Sequence, residues 1–460
     1  MLSGKGEPKL AKWISIIAAL ALFGGGSFAY GLYSGAKETG LFNAAKRFEQ
    51  IAKEAVSQLR QNVSNRPEEF LQPARFEGSG VVKNDVTDQD LVMIAGFFDG
   101  DNGVRLLRRD GTVVAAWRLT FSDYVPDPSY LGEDAPATDW NVDLHGTLLN
   151  PDGSLVTNFE YAALVKLDRC GRLDWILEQP THHSVERSEL GGYWVPGRRF
   201  TNGKGPEASF PPLTDMSGEH RYKEDEILHV TEDGQIDKTV SVPRILYDSG
   251  LAPVLSATGI RYLPGREWSD EIVHVNKIAE LPAALAPAFP MFEAGDLAIS
   301  IREYNLVAVI DPDTWKVKWH RTGPWVRQHD PEFIADGTIA VFNNNTYATR
   351  VGAYNRTSPN DPRVSDVMAV NPATGNTTIP FAAGDGEGML SVVRSKIDPV
   401  TDGGYLITEF EAGRALQTDR AGRIVWEYIN RYDTEFVAEI TEARLYPADY
   451  FTVDDWSCAQ

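Results

Sequence analysis

The sequence predicts an all-β protein: a six-bladed β-propeller of four-stranded blades, preceded by one N-terminal transmembrane helix and an amphipathic helix. Two observations predict the propeller. Six segments share one pattern, an apolar strand, a polar Asp/Asn/Gly turn and a strand that often ends in Trp: VRLLRRDGTVVAAW, LVKLDRCGRLDW, ILHVTEDGQIDKTV, LVAVIDPDTWKVKW, VMAVNPATGNTTIPF and ALQTDRAGRIVWEY. Their turns lie roughly 50–80 residues apart, the period of a blade. A second frame precedes them, in which His145, His183, His329 and Ser395 each stand eight residues before a glycine (Gly153, Gly191, Gly337, Gly403) that opens a buried-looking strand. The third observation predicts the leading helix: Trp13 to Tyr33 carries no charge, and its 21 residues span about 31 Å as a helix, the thickness of a bilayer core.

Taken in order, residues 1–12 form a basic tail with Lys5, Lys9 and Lys12. This charge on the N-side predicts a cytoplasmic tail, a single pass over 13–33, and the rest in the periplasm or another extracytoplasmic space, anchored in the inner (cytoplasmic) membrane. Ser27-Phe28-Ala29 also reads as a signal-peptide cleavage site, but the apolar run is longer than an ordinary signal core. Residues 34–80 read as a helical stalk and linker. Within them, 41–61 place Leu41, Ala45, Phe48, Ala52, Val56 and Leu59 on one face, a surface for packing on its own domain or for an oligomer. Residues 81–460 are the propeller. The first repeat has strands at Leu91–Phe98, Val104–Arg109 and Thr112–Trp117 but lacks an inner strand; Val437–Tyr446 is left over at the other end and is expected to close the ring.

The net charge, 44 basic against 65 acidic residues, is −21. That argues against nucleic acid or an anionic membrane surface as a partner, since phosphate binding needs a basic footprint. The two cysteines, Cys170 and Cys458, form no CxxC; a disulfide between them suits an oxidising compartment.

In a propeller the inner strands line the central channel, so their first residues converge at one mouth with the loops after the second strands. His145, His183, His274, His329 and Ser395 are the inner-strand positions. The loops bring Glu160, Arg302, Asn343, Asn344, Asn345, Arg350 and Arg414. Imidazoles with guanidiniums suit an oxyanion, and His also serves as acid, base or nucleophile. A histidine cluster can also hold a metal, but no ligand set is assigned and no cofactor is expected. His182 and His320 read as structural or surface residues, and Asp99–Gly103 (DGDNG) as a turn rather than a calcium loop.

The fragments HGTLLNPDGSLVTNFEYAALVKLD, THHSVE, HVNKIAELP, FEAGDLAISIREYNLVAVIDP and TGPWVRQHDPEFIADGTIAVFNNN resemble the arylsulfotransferase family over about residues 85–450. The resemblance implies a six-bladed exported propeller. It implies movement of a sulfuryl group from an aryl sulfate to a phenol, with a histidine as carrier and no nucleotide donor. His329 matches the family's sulfate-binding histidine, Arg350 its arginine, and His183 a histidine from an earlier blade. The carrier's place, at the start of the last inner strand, reads Arg394-Ser395-Lys396. Two readings follow. One is sulfuryl transfer or sulfate-ester hydrolysis, with His329 and Arg350 on the sulfuryl oxygens, a histidine among His145, His183 and His274 as nucleophile or acid, and Asn343, Asn345, Arg302, Arg414 and Ser395 around the substrate. The other is a membrane-tethered propeller that binds an anionic ligand or an envelope protein without chemistry.

Overall fold

A computed structural model describes residues 9–36, 66–201, 222–255, 271–347, 364–382 and 388–458. The stalk helix at 41–61, and any oligomer contact through it, lie outside these residues. So does Arg350. The chain forms two units. One contains the helix Lys9–Ala36, whose stretch Ile16–Gly35 is long and apolar enough to cross a membrane.

The other unit is the propeller. Its local seed is the histidine–glycine frame. Gly153, Gly191, Gly337 and Gly403 have φ of 80°, 90°, 81° and 87°. Each N–H bonds the carbonyl three residues back, Asn150, Ser188, Ile334 and Val400, at 2.8–3.0 Å. A left-handed residue is needed to turn the inner strand back on itself, and only glycine takes it without strain.

Each blade follows. The second is Leu144–Leu149, Leu155–Phe159, Ala163–Leu167 and Leu173–Leu177. The third is Glu186–Arg187, Tyr193–Thr201, Tyr222–Val230 and Ile236–Ser241. The fourth is Val275–Glu280, Leu297–Ile301, Leu306–Asp311 and Lys316–Thr322. The fifth is His329–Phe333, Ile339–Asn343, Asp366–Val370 and Thr377–Ala382. The sixth is Lys396–Pro399, Tyr405–Glu409, Arg414–Thr418 and Ile424–Ile429. The first blade takes Leu91–Phe98, Asp101–Leu107 and Val113–Arg118 from the start of the ring and its inner strand, Ile440–Tyr446, from the end. Asp99 and Gly100 turn between the second and third strands of that blade.

The core explains why the strands read as unbroken apolar runs. A buried hydrophobic cluster fills each of the six gaps between neighbouring blades. Met93 and Ala95 face the gap to the second blade, while Val92 and Ile94 face the gap to the sixth. Alternate residues of one strand therefore both bury, on opposite faces.

Residues 71–80 depart from the linker expected there, and a strand that begins at Gly80 runs on into the propeller. Leu71–Pro73 pairs with Phe436–Ala438, and Gly80–Asn84 adds a fifth, outer strand to the sixth blade. Nothing local marks these segments as strands, because their partners sit at the far end of the chain. Beyond the closing strand, Cys458 is disulfide-bonded to Cys170 in the second blade. Arg169 holds the same tail by donating to the Asp455 and Ser457 carbonyls at 2.9 Å.

Reducing this bridge, or Cys458→Ser, should lower unfolding free energy by roughly 2–4 kcal/mol in urea titrations. New proteolytic cuts should fall only in residues 447–458, since strand pairing alone keeps the ring closed. Loss of the β-sheet circular dichroism signal on reduction would mean that the bridge itself closes the ring.

Candidate functional site

Five histidines meet at one end of the inner strands. His183 is central. Its Nδ1 lies 2.8 Å from Nδ1 of His182 and its Nε2 lies 3.1 Å from Nε2 of His274. Its ring centroid is 4.2 Å from that of His145 and 6.4 Å from that of His329. The four histidines at inner-strand positions, His145, His183, His274 and His329, thus converge, as ring geometry requires. The rings do not line an open funnel, however: they pack on one another and are only 1–5% exposed.

Carboxylates and amides set the tautomers. Glu160 Oε1 is 2.8 Å from His145 Nδ1, and Glu271 Oε1 is 2.8 Å from His274 Nδ1. Both carboxylates only accept, so those nitrogens carry the hydrogen. His329 Nδ1 faces Asn344 Oδ1 at 2.7 Å and the Arg327 carbonyl at 3.0 Å. It too must donate, which leaves the lone pair on Nε2, a buried atom with no partner. Burial, and next the charge of Arg302, hold the pKa of His329 well below the usual imidazole value. Burial, followed by neighbouring cations and imidazoles, does the same for His145, His182 and His183. His274 is lowered by burial against the pull of Glu271. The cluster is neutral at pH 7.

The other expected site residues divide. Arg302 stays close, within 3.7 Å of Glu271 and bonded to Glu303 at 2.8 Å. Asn343 and Asn345 are framework. Asn343 donates to Asp366 at 3.0 Å and accepts from the Val326 N–H at 2.8 Å, while Asn345 donates to the Val364 carbonyl. Arg414 is locked between Glu409 and Glu427 over the Phe76 ring, and none of these three touches a histidine. Ser395 Oγ accepts from the Phe410 N–H at 3.2 Å and is buried. Asn344, between the two expected residues and just past the end of the strand, is the one whose side chain turns to His329.

Three further residues were passed over. His182, expected to be structural or on the surface, extends the imidazole row instead, and its adjacency to His183 is the signal for this in the sequence. Arg327, beside His329, has its pKa lowered by burial and then by Arg302, so two guanidiniums share this spot. Arg394, in the carrier's place, pairs with Asp143 and Glu160 and lies 4.6 Å from the Phe410 ring centroid. His320 is exposed on an outer strand, and His229 bonds Asp237 and the Gly191 carbonyl away from the cluster. His145, Glu160 and His183 have metal-ligand spacing, as do Glu271, His274 and Glu303.

Asp366 supports this framework, and burial pushes its pKa up to about 6, against the Asn343 hydrogen bond. Its folded form holds the proton more tightly than the unfolded chain, so its contribution is full below pH 4 and is lost as pH rises through about 6. Asp366→Asn, neutral throughout, should remove this slope and raise stability at pH 8 by up to roughly 3 kcal/mol. Parallel pH–stability curves for the two proteins would contradict it.

A sequence profile described as arylsulfotransferase (ASST) matches residues 145–431. Among curated proteins no sequence relative matches. Solved structures of similar shape include a protein of unknown function from Bacteroides caccae, with 11% identity over 78% of this chain and 99% of that one and a TM-score of 0.46. Virginiamycin B lyase from Staphylococcus aureus has 13% identity over 63% and 71%, with a TM-score of 0.34. A nidogen/laminin complex has 10% identity over 78% and 98%, with a TM-score of 0.40. At these scores the structural likenesses carry no argument. The matched profile runs from the inner strand of the second blade to just past the last strand of the sixth and covers all five histidines of the cluster; the chain belongs to the arylsulfotransferase family.

Proposed function

We propose that the protein transfers a sulfuryl group from an aryl sulfate to a phenolic acceptor, or to water, with Nε2 of His329 as the atom that meets sulfur. The observation that carries this reading is the unpartnered lone pair of that nitrogen, in a ring whose Nδ1–H is fixed by two acceptors. His183 and His274 each have both ring nitrogens bonded, which removes them as nucleophiles.

In the first step Nε2 attacks sulfur. The N–S bond forms as the bond from sulfur to the aryl oxygen breaks, and the phenolate leaves to be protonated by solvent. The ring then carries positive charge, which the Asn344 and Arg327 oxygens on Nδ1–H stabilise. Arg302 and Arg327 supply positive charge for the sulfuryl oxygens. In the second step the acceptor oxygen attacks sulfur and loses its proton, the N–S bond breaks, and neutral His329 is restored. Since Nε2 is buried, substrate reaches it only when the packed rings above it part.

The second reading, an anion-binding propeller without chemistry, is supported by the sixth blade. There Ser395 is bonded to backbone and Arg394 to carboxylates, so no imidazole stands at the carrier's place. On either reading, Lys5, Lys9 and Lys12 before the apolar helix and the Cys170–Cys458 bridge support a single-pass anchor in the inner membrane with the propeller on the periplasmic side.

Full-length protein in detergent, given nitrophenyl sulfate and a phenol, should release nitrophenol. His329→Ala should lower kcat by more than about 1,000-fold, and a peptide containing His329 should carry an acid-labile sulfuryl group by mass spectrometry. Nitrophenyl sulfate that binds without turnover would replace this reading with the second; a sulfuryl group trapped on His145 would move the nucleophile.

A further inference from the structure

We propose that His145, Glu160 and His183 bind a divalent first-row cation, zinc(II) by the chemistry of the donors, with His182 as an additional imidazole. The ligand atoms of the three all lie within 4.8 Å of one another. Glu160 Oε1 is 2.8 Å from His145 Nδ1 and 3.7 Å from His183 Nδ1. His182 Nδ1 is 2.8 Å from His183 Nδ1. Neutral imidazole nitrogen with one carboxylate oxygen is a borderline-soft set that suits zinc. A bound cation would open these contacts by a few tenths of an ångström, to the spacing of a tetrahedral shell.

A count of hydrogens supports the site independently. Glu271, His274, His183, His182 and Asp225 stand in a row, separated by 2.8, 3.1, 2.8 and 3.9 Å. A carboxylate closes each end. Three neutral imidazoles carry three hydrogens, which fill the three short gaps. His182 Nε2 is then left as a buried lone pair without a partner, facing the Asp225 carboxylate across 3.9 Å, which is costly. A cation on the Nδ1 atoms of His183 and His182 takes over the gap between them. The three hydrogens then serve three gaps: His274 to Glu271, His183 Nε2 to His274, and His182 Nε2 to Asp225.

The surroundings are those of a supported metal site. His183 turns its other ring nitrogen to His274, which in turn is held by Glu271, an arrangement that orients the ring and strengthens the donor. Arg394 holds Glu160 by its other oxygen, leaving Oε1 turned to the imidazoles. The positive charge of Arg394 is met on its other side by Asp143. His329 is outside the ligand set, so the inference stands whether or not the sulfuryl reading does.

The test is zinc binding by the full-length protein. Protein purified without chelator should contain about one equivalent of metal by elemental analysis. After stripping, zinc chloride should bind with a one-to-one calorimetric endpoint, and cobalt(II) should give visible d–d absorption. His145→Ala and His183→Ala should abolish both signals, and Glu271→Gln should weaken binding by roughly 10–100-fold. His229→Ala, away from the cluster, should leave binding unchanged. If folded wild-type protein takes up neither zinc nor cobalt, or if the His145→Ala and Glu160→Gln variants bind as wild type does, the site is refuted. Should the alanine variants fail to fold, the wild-type cobalt spectrum decides, because imidazole ligation has its own signature there. None of these readouts depends on turnover.

Discussion

The backbone pairing of Ile440–Tyr446 with Leu91–Phe98 is the constraint on which the rest of the propeller depends. It joins the last strand of the ring to the first blade. With that contact made, every blade has a neighbour on each side and every apolar strand face is covered. Without it, two blades would expose their faces and the inner strands would no longer point at a common axis. The convergence of His145, His183, His274 and His329 is a consequence of closure, since no two of them share an inner strand.

The centre of the ring is ionic rather than apolar. Lys277 of the fourth blade reaches Glu186 of the third at 2.9 Å and Glu332 of the fifth at 2.7 Å, with Asp330 at 3.4 Å. Burial works against its ammonium, but the carboxylates outweigh it and hold its pKa well above the ordinary value. Lys396 of the sixth blade bonds Glu442 of the first at 2.9 Å, and Glu442 accepts the Thr147 N–H of the second at 2.8 Å. The fourth blade is thus tied to the third and fifth, and the first to the sixth and second, through charges at the axis. Desolvation makes such a network a poor source of net stability, but it penalises any blade that slips, because a slip strands a buried charge.

Above this network the backbone is bent where the inner strands begin. His183, Asp330, Arg394 and Ser395 have φ of 62°, 54°, 55° and 75°, and Gly146 has 104°. Left-handed conformations cost non-glycine residues roughly 1–3 kcal/mol each. They recur at the same level of four blades, which ties them to the placement of the site rather than to local accident. In the sixth blade the bend turns Arg394, not an imidazole, toward Asp143 and Glu160, and the carboxylate that orients His145 is itself oriented from there.

The repeat was legible in the sequence because it is written in local terms. A positive-φ glycine eight residues after four of the inner-strand positions, a polar turn and a doubly apolar strand are dictated by backbone sterics and burial, which neighbouring residues reveal. That places Gly153, Gly191, Gly337 and Gly403 in one frame and with them three histidines that meet, His145, His183 and His329. What pairs with what at a distance was not legible: that Leu71–Pro73 and Gly80–Asn84 are strands, that Asn344 and not its neighbours turns to His329, and that Arg414 is consumed by Glu409 and Glu427. Nor could spacing show that His182 joins the row or that the rings touch instead of lining a funnel. These follow from how six sheets pack about one axis, where side-chain direction and the partner of each buried polar atom are set by neighbours hundreds of residues away.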